Sequence, residues 1–176
     1  MPENALKRLA AAVAAGSLLV AGCSSGGSGE TPDGFARSDA EVLSVAHPED
    51  WRRGPETGLP LSMQAPGRTA YLSVVKDLAA HGNPDMIEAT IEAGPRMNAK
   101  AYRRAASEPI DVAGAQEALR IDYTFDDFGG TGAKGQGVDV GVIGGNGHLH
   151  TVRLTWQRGR LRDEVVDGIV DSVKVR

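Results

Sequence analysis

The chain has 176 residues, enough for one folded domain and tight for two. Acidic side chains (23) outnumber basic ones (19), and a formal net charge of −4 excludes an electrostatic grip on nucleic acid or on an anionic membrane surface. A single cysteine excludes an internal disulfide framework.

Lys7 and Arg8 form a short basic start, and residues 9–20 are a run of 12 apolar or small side chains. At about 1.5 Å per residue that run reaches roughly 18 Å, short of a hydrocarbon core of about 30 Å. It reads as the apolar region of an export signal. Val20-Ala21-Gly22-Cys23 follows, and it resembles the bacterial lipobox, in which a small pair precedes an obligate cysteine. The resemblance implies cleavage between Gly22 and Cys23 and acylation of the Cys23 thiol, with chains such as palmitate holding the protein on the extracytoplasmic face of the cell membrane. Two or more chains make such an anchor stable.

Residues 24–34 (SSGGSGETPDG) contain no large apolar side chain. They read as a flexible tether with an r.m.s. span of about 18 Å. The expected organisation is a signal peptide over 1–22, the lipidated Cys23 and tether over 23–34, and one extracytoplasmic domain over 35–176.

Within the domain, residues 41–46, 59–64 and 70–76 are strand candidates, the last two separated by the Pro66-Gly67 turn signal. Asn83-Pro84 supplies a helix cap and a first-turn proline. Met86, Ile87, Thr90 and Ile91 then form a stripe at helical spacing. Gly94-Pro95 stops or kinks that helix, and 96–106 is expected to continue as a second helical piece. Residues 109–112 and 116–125 suggest a hairpin, with Leu119, Ile121, Tyr123 and Phe125 on one face. Residues 137–143 and 148–157 read as the next two strands. A two-residue Asn146-Gly147 loop would set Val138 and Val140 against polar partners. The three-residue loop Gly145-Asn146-Gly147 instead pairs Val138 with Leu154 and Val140 with Val152, so hydrophobic pairing selects the longer loop. A final helix is expected over 161–172, with Leu161, Val165, Ile169 and Val170 as its stripe. The fold class is α+β, a central antiparallel sheet packed between helices.

The order of these elements resembles the PsbP-like superfamily, which includes photosystem II lumenal proteins and a Ran-release factor, and within it the actinobacterial LpqN-type lipoproteins. His47-Pro48-Glu49-Asp50-Trp51, Val112-Ala113-Gly114, Ala118-Leu119-Arg120-Ile121, Val140-Gly141-Val142-Ile143, Asn146-Gly147-His148-Leu149-His150 and Ile169-Val170-Asp171-Ser172-Val173 carry the likeness. It implies a PsbP-like α/β/α sandwich used for binding or assembly, without enzymatic activity. No family ligand site transfers to a numbered residue.

Chemical motifs are sparse. Gly22-Cys23-Ser24-Ser25-Gly26 fits G-x-S-x-G but lies at the cleavage point, where no strand–turn–helix is expected. Gly130-Thr131-Gly132-Ala133-Lys134-Gly135 fits G-x-G-x-x-G but leads into a strand, not the helix that would hold a phosphate. His148 and His150 share a strand face, yet nothing nearby completes a metal site, and Asp122, Asp126 and Asp127 lack calcium-loop spacing. No cofactor and no metal is expected. Arg52-Arg53, Arg103-Arg104 and Arg158/Arg160/Arg162 read as solvated basic clusters, and Trp156 as core.

The expected function is non-catalytic: a lipid-anchored envelope domain that binds or assembles a protein or lipid partner. A second reading is a carrier for an apolar ligand (lipid or glycolipid) between helices and sheet, with Trp51, Tyr71 and Met86 lining the groove. A third is an envelope hydrolase built from side chains scattered in sequence.

Overall fold

A computed structural model describes residues 29–176. The signal peptide, the Gly22/Cys23 lipobox and the G-x-S-x-G match lie outside the described residues.

Two antiparallel sheets and two helices make up the domain. The small sheet contains β1 (Phe35–Ala40), β2 (Leu43–Pro48) and β10 (Lys174–Val175), in the order β1-β2-β10. The large sheet contains β3 (Arg52–Arg53), β4 (Leu61–Gln64), β5 (Ala70–Ala79), β6 (Lys100–Pro109), β7 (Glu117–Phe128), β8 (Ala133–Ile143) and β9 (Leu149–Gln157). Its order is β3-β4-β5-β9-β8-β7-β6. Helices α1 (Ile87–Asn98) and α2 (Asp163–Asp171) complete the fold.

Side-chain alternation along the central strands assigns the two faces. Val138, Val140 and Val142 of β8, with Val152, Leu154 and Trp156 of β9, enter one buried cluster with Leu43 and Val45 of β2 and Val166, Ile169 and Val170 of α2. Ile121 and Tyr123 of β7 enter a second, smaller cluster with Ile87 and Ile91 of α1. The large sheet is therefore sandwiched between α1 on one face and α2 with the small sheet on the other.

The register of the β8–β9 hairpin is the one hydrophobic pairing selects, with Val138 opposite Leu154 and Val140 opposite Val152. Gly144 N–H donates to His148 O at 3.1 Å, leaving Gly145-Asn146-Gly147 as the loop. Gly147 sits at φ 76, which a side chain would strain.

Three expectations change. The segment 29–34 is seated on the domain: Gly29 is buried and its N–H donates to Asp171 O at 3.1 Å. The folded unit thus begins before Phe35. Strand β1 itself carries no alternation strong enough to read, and only pairing with β2 across the Glu41-Val42 turn defines it.

Helix α1 runs through Gly94-Pro95 to Asn98. Proline removes the N–H that Ile91 O would accept. Arg153 Nη2 donates to that carbonyl at 3.3 Å instead, so the helix continues. After Asn98 the chain turns into β6 rather than a second helical piece. Three residues of β6 latch onto α1: Tyr102 Oη donates to Glu92 Oε1 at 2.7 Å, Ser107 Oγ to Glu88 Oε2 at 2.7 Å, and Arg104 pairs with Glu88. These contacts are tertiary, and no local periodicity announces them. In α2, Val166 is buried while Leu161 precedes the helix, which narrows the expected stripe.

Candidate functional site

The α1 face of the large sheet differs in composition from the rest of the molecule. Five aromatic rings run across it in file. Centroid separations are 5.7 Å from Tyr71 to Phe128, 6.3 Å to Phe125, 6.1 Å to Tyr123 and 5.1 Å to Tyr102. They are all three tyrosines and two of the three phenylalanines in the chain.

Glycines on the next strand make room for the rings. Phe125 pairs with Gly135 and Tyr123 with Gly137. A Cβ at either glycine would stand 2.3 Å from the facing ring's Cζ, so neither tolerates a side chain while the ring stays in place.

Between these rings and the last turn of α1 opens a cleft of about 410 Å³. Gly94, Pro95 and Asn98 form its helical wall, Tyr71, Tyr123, Phe125 and Phe128 its floor, and Arg153 and Thr155 its back. Its volume lies within the roughly 300–1,000 Å³ of small-molecule sites, and its aromatic floor is joined by the charged Lys100, Asp126 and Asp127. A larger opening of about 660 Å³ beside Arg52 and Arg68 has no aromatic lining, and one of about 480 Å³ beside His150 contains three glycines and no Phe, Tyr or Trp.

The polar back wall is pre-arranged. Asp139 is 1% exposed and receives Arg153 in bidentate fashion, Nη2 to Oδ2 at 2.7 Å and Nε to Oδ1 at 2.9 Å. Tyr123 Oη adds a third donor at 3.2 Å. Burial pushes the Asp139 carboxyl above the usual carboxylate range, against the pull of Arg153. Burial alone would lower the Arg153 guanidinium, but the hydrogen bonds and charge of Asp139 hold it above its ordinary value. Burial, then Asp139, pushes the Tyr123 phenol up, so it stays a neutral donor. The wall therefore presents one edge of a braced guanidinium to whatever enters, with the Tyr123 hydroxyl proton committed to Asp139.

Of the three residues expected to line a groove, the structure brings only Tyr71 to the cleft. Trp51 is 6% exposed in the cluster on the opposite face, stacked on His47 at 6.5 Å. Met86 is 53% exposed ahead of α1 and does not line the cleft. Tyr123 and Phe125 were legible only as an apolar strand face. The signal that sets them apart is the Gly135/Gly137 spacing on the partner strand.

Other sequence candidates find structural roles. His148 Nδ1 bonds Asp77 Oδ1 at 2.7 Å, and Asp77 N–H donates to His150 Nδ1 at 3.1 Å. Both histidines thus brace the β5 bulge. The Asp77 carboxyl is held below its ordinary range by His148, while burial lowers His150. Asp122 pairs with Arg120, Asp126 with Lys134, and Asp127 accepts Gly132 N–H at 2.7 Å. Among the described residues, no group of three His, Cys, Asp or Glu could hold a metal ion. Residues 129–132 connect β7 to β8, a strand-to-strand turn with no helix to hold a phosphate. Ser38 Oγ lies 2.9 Å from His47 Nε2, whose Nδ1 reaches Pro48 O at 2.9 Å. With Nδ1–H donating to that carbonyl, Nε2 accepts from Ser38, so both nitrogens of a buried ring are satisfied.

No family model matches the sequence, and no curated protein matches it significantly. Solved structures do. LpqN of Mycobacterium tuberculosis, described as involved in cell envelope biogenesis, aligns with a TM-score of 0.53 at 13% identity, over 81% of this chain and 86% of that one. The chain has an LpqN-like fold. A protein of Bacteroides thetaiotaomicron (TM-score 0.48, 14% identity, 81% of this chain and 48% of that one) and PA94 of Pseudomonas aeruginosa (0.42, 15%, 70% and 83%) are also similar. At these identities the likeness concerns architecture alone.

Proposed function

We propose that the protein is a lipid-anchored, extracytoplasmic bacterial domain that binds a partner or ligand of the cell envelope without catalysis, through the cleft under α1. The observation that carries the binding role is the concentration of four aromatic rings and a braced Arg153 in one open cleft. Aromatic rings and arginine are the side chains that anchor partners most strongly. The lipobox at Cys23 supports the anchored location, and the LpqN-like fold is consistent with an envelope role.

Two experiments test the two halves. Inhibition of signal peptidase II should make the uncut precursor accumulate, and normal maturation under the inhibitor would defeat the anchoring. A photo-crosslinking residue at position 128, on the cleft floor, should capture a reproducible envelope component that one at 171, exposed at the end of α2 across the large sheet, does not. Identical capture from both positions would defeat the cleft as binding site.

The apolar-ligand carrier is the second reading, favoured by the cleft's aromatic floor. Native mass spectrometry of protein extracted from its own envelope separates the two. A carrier retains a lipid or glycolipid adduct, and loses it in Tyr71→Ala.

A further inference from the structure

Arg37 spends all five of its N–H donors on one task. Nη2 donates to Gly29 O at 2.7 Å and to Glu30 O at 2.9 Å, and Nε to Thr31 Oγ1 at 2.9 Å. Nη1 reaches the folded body, at Ser44 Oγ (2.7 Å) and Ser172 O (3.0 Å). The guanidinium therefore staples residues 29–31 to the seam between β2 and the end of α2. A fork with five fixed donors suits such multi-point clamping better than any other side chain.

Gly29 completes the seat. Its N–H is held by Asp171 O, and a Cβ there would stand 3.2 Å from both Ala113 Cβ and Lys174 Cβ, at φ +64. Only a residue without a side chain approaches this closely. Further along, Pro32 and Phe35 lie against Gly168 of α2.

Five residues, 24–28, separate Cys23 from Gly29. At no more than about 3.6 Å per residue, six steps allow the Cys23 backbone a reach of at most about 22 Å from the Gly29 seat. We infer that residues 29–37 are a pinned stalk that orients the domain on its membrane, with the seam of Gly29, Lys174 and the α2 end toward the bilayer. The inference rests on Cys23 being the acylated residue. Gly29 lies on the α2 layer, whereas the aromatic cleft lies beneath α1, across the large sheet. The cleft then takes its ligand from the side facing away from the anchoring leaflet. A ligand resident in that leaflet would have to be handed over rather than drawn in directly.

Cys23 is the only cysteine, so it can be coupled to maleimide-bearing lipid in phosphatidylcholine vesicles. A donor dye is clicked onto a reactive residue placed at 171, beside the stalk, or at 97, where Met97 is 83% exposed on α1. Energy transfer to an acceptor in the lipid headgroups reports proximity. Transfer should be several-fold greater from 171 than from 97. Arg37→Gln should narrow that ratio. A Gly/Ser insertion of about 20 residues between 28 and 29, adding an r.m.s. span of roughly 25 Å, should bring it to one. The insertion leaves the fold untouched, so it decides the matter if Arg37→Gln unfolds. Equal or reversed transfer in the unaltered chain, or a ratio that survives the insertion, would overturn the orientation. A bare Cys23 thiol in protein from intact cells would instead overturn the anchoring, leaving the vesicle result as a property of the stalk.

Discussion

The two faces of the large sheet solve different problems with the same strands. Toward α2, valines and leucines interdigitate with Leu43, Val45 and Ile169 into a closed apolar layer. Toward α1, the alternate residues of β8 are Gly135, Gly137, Asp139 and Gly141, and the strand beside them supplies rings. One face of β8 fills space and the other vacates it. The difference teaches that close packing and an open cleft can be assigned to opposite faces of one sheet, with the larger buried apolar cluster toward α2 and the opening beneath α1.

Four substitutions or conditions break or sharpen that contrast. Asp139→Ala strands Arg153 in the α1 layer with its charge unpaired. Breaking such a pair typically costs about 3–5 kcal/mol, measurable by chemical denaturation. Leu154→Ala excavates the α2 layer instead, at about 2–5 kcal/mol. Its effect on crosslinking from position 128 should be nil at temperatures where it remains folded. If it disturbed capture as much as a cleft substitution does, the faces would not be separable.

Tyr71→Ala removes a half-buried ring whose pairing with Phe128 is worth about 0.5–1.5 kcal/mol. The melting temperature should fall slightly while ligand or partner capture is lost, the inverse of Leu154→Ala. The smallest effect concerns pH. Burial depresses His150, so the unfolded chain binds a proton there more readily than the folded one. That contribution to stability should be complete above about pH 6.5, the ordinary imidazole value, and fall as pH drops below it. His150→Gln should flatten this part of the stability–pH curve in denaturant titrations.

Much of the scaffold was legible in the sequence, for an identifiable reason. Strands β5, β8 and β9 alternate strongly because one face of each is sealed by the α2 layer, and β7 because Ile121 and Tyr123 pack beneath α1. The choice between two hairpin registers could be made on hydrophobic matching alone. Asn83 caps the turn of 84–86 that leads into α1, with its side chain accepting Asp85 N–H at 3.0 Å, as the Asn-Pro signal indicates. Strand β6 was illegible because it is exposed along nearly its whole length and is held by polar latches to Glu88 and Glu92. The cleft was visible only in part. Tyr71 could be named, but its partners read as core until the glycines opposite them were placed in register.

By itself the sequence determined the α+β class, the central strand register, the start of α1 and the presence of α2, because each rests on order or spacing along the chain. Only the tertiary structure decided that α1 passes through Pro95, that residues 29–34 belong to the folded body, and that four rings share one cleft. Each of those depends on a side chain far away in sequence. Arg153 supplies the missing donor to Ile91, Arg37 staples the stalk, and the β8 glycines yield the space that the β7 rings occupy. Long-range hydrogen bonds and close approaches leave no periodic trace in the segments they join.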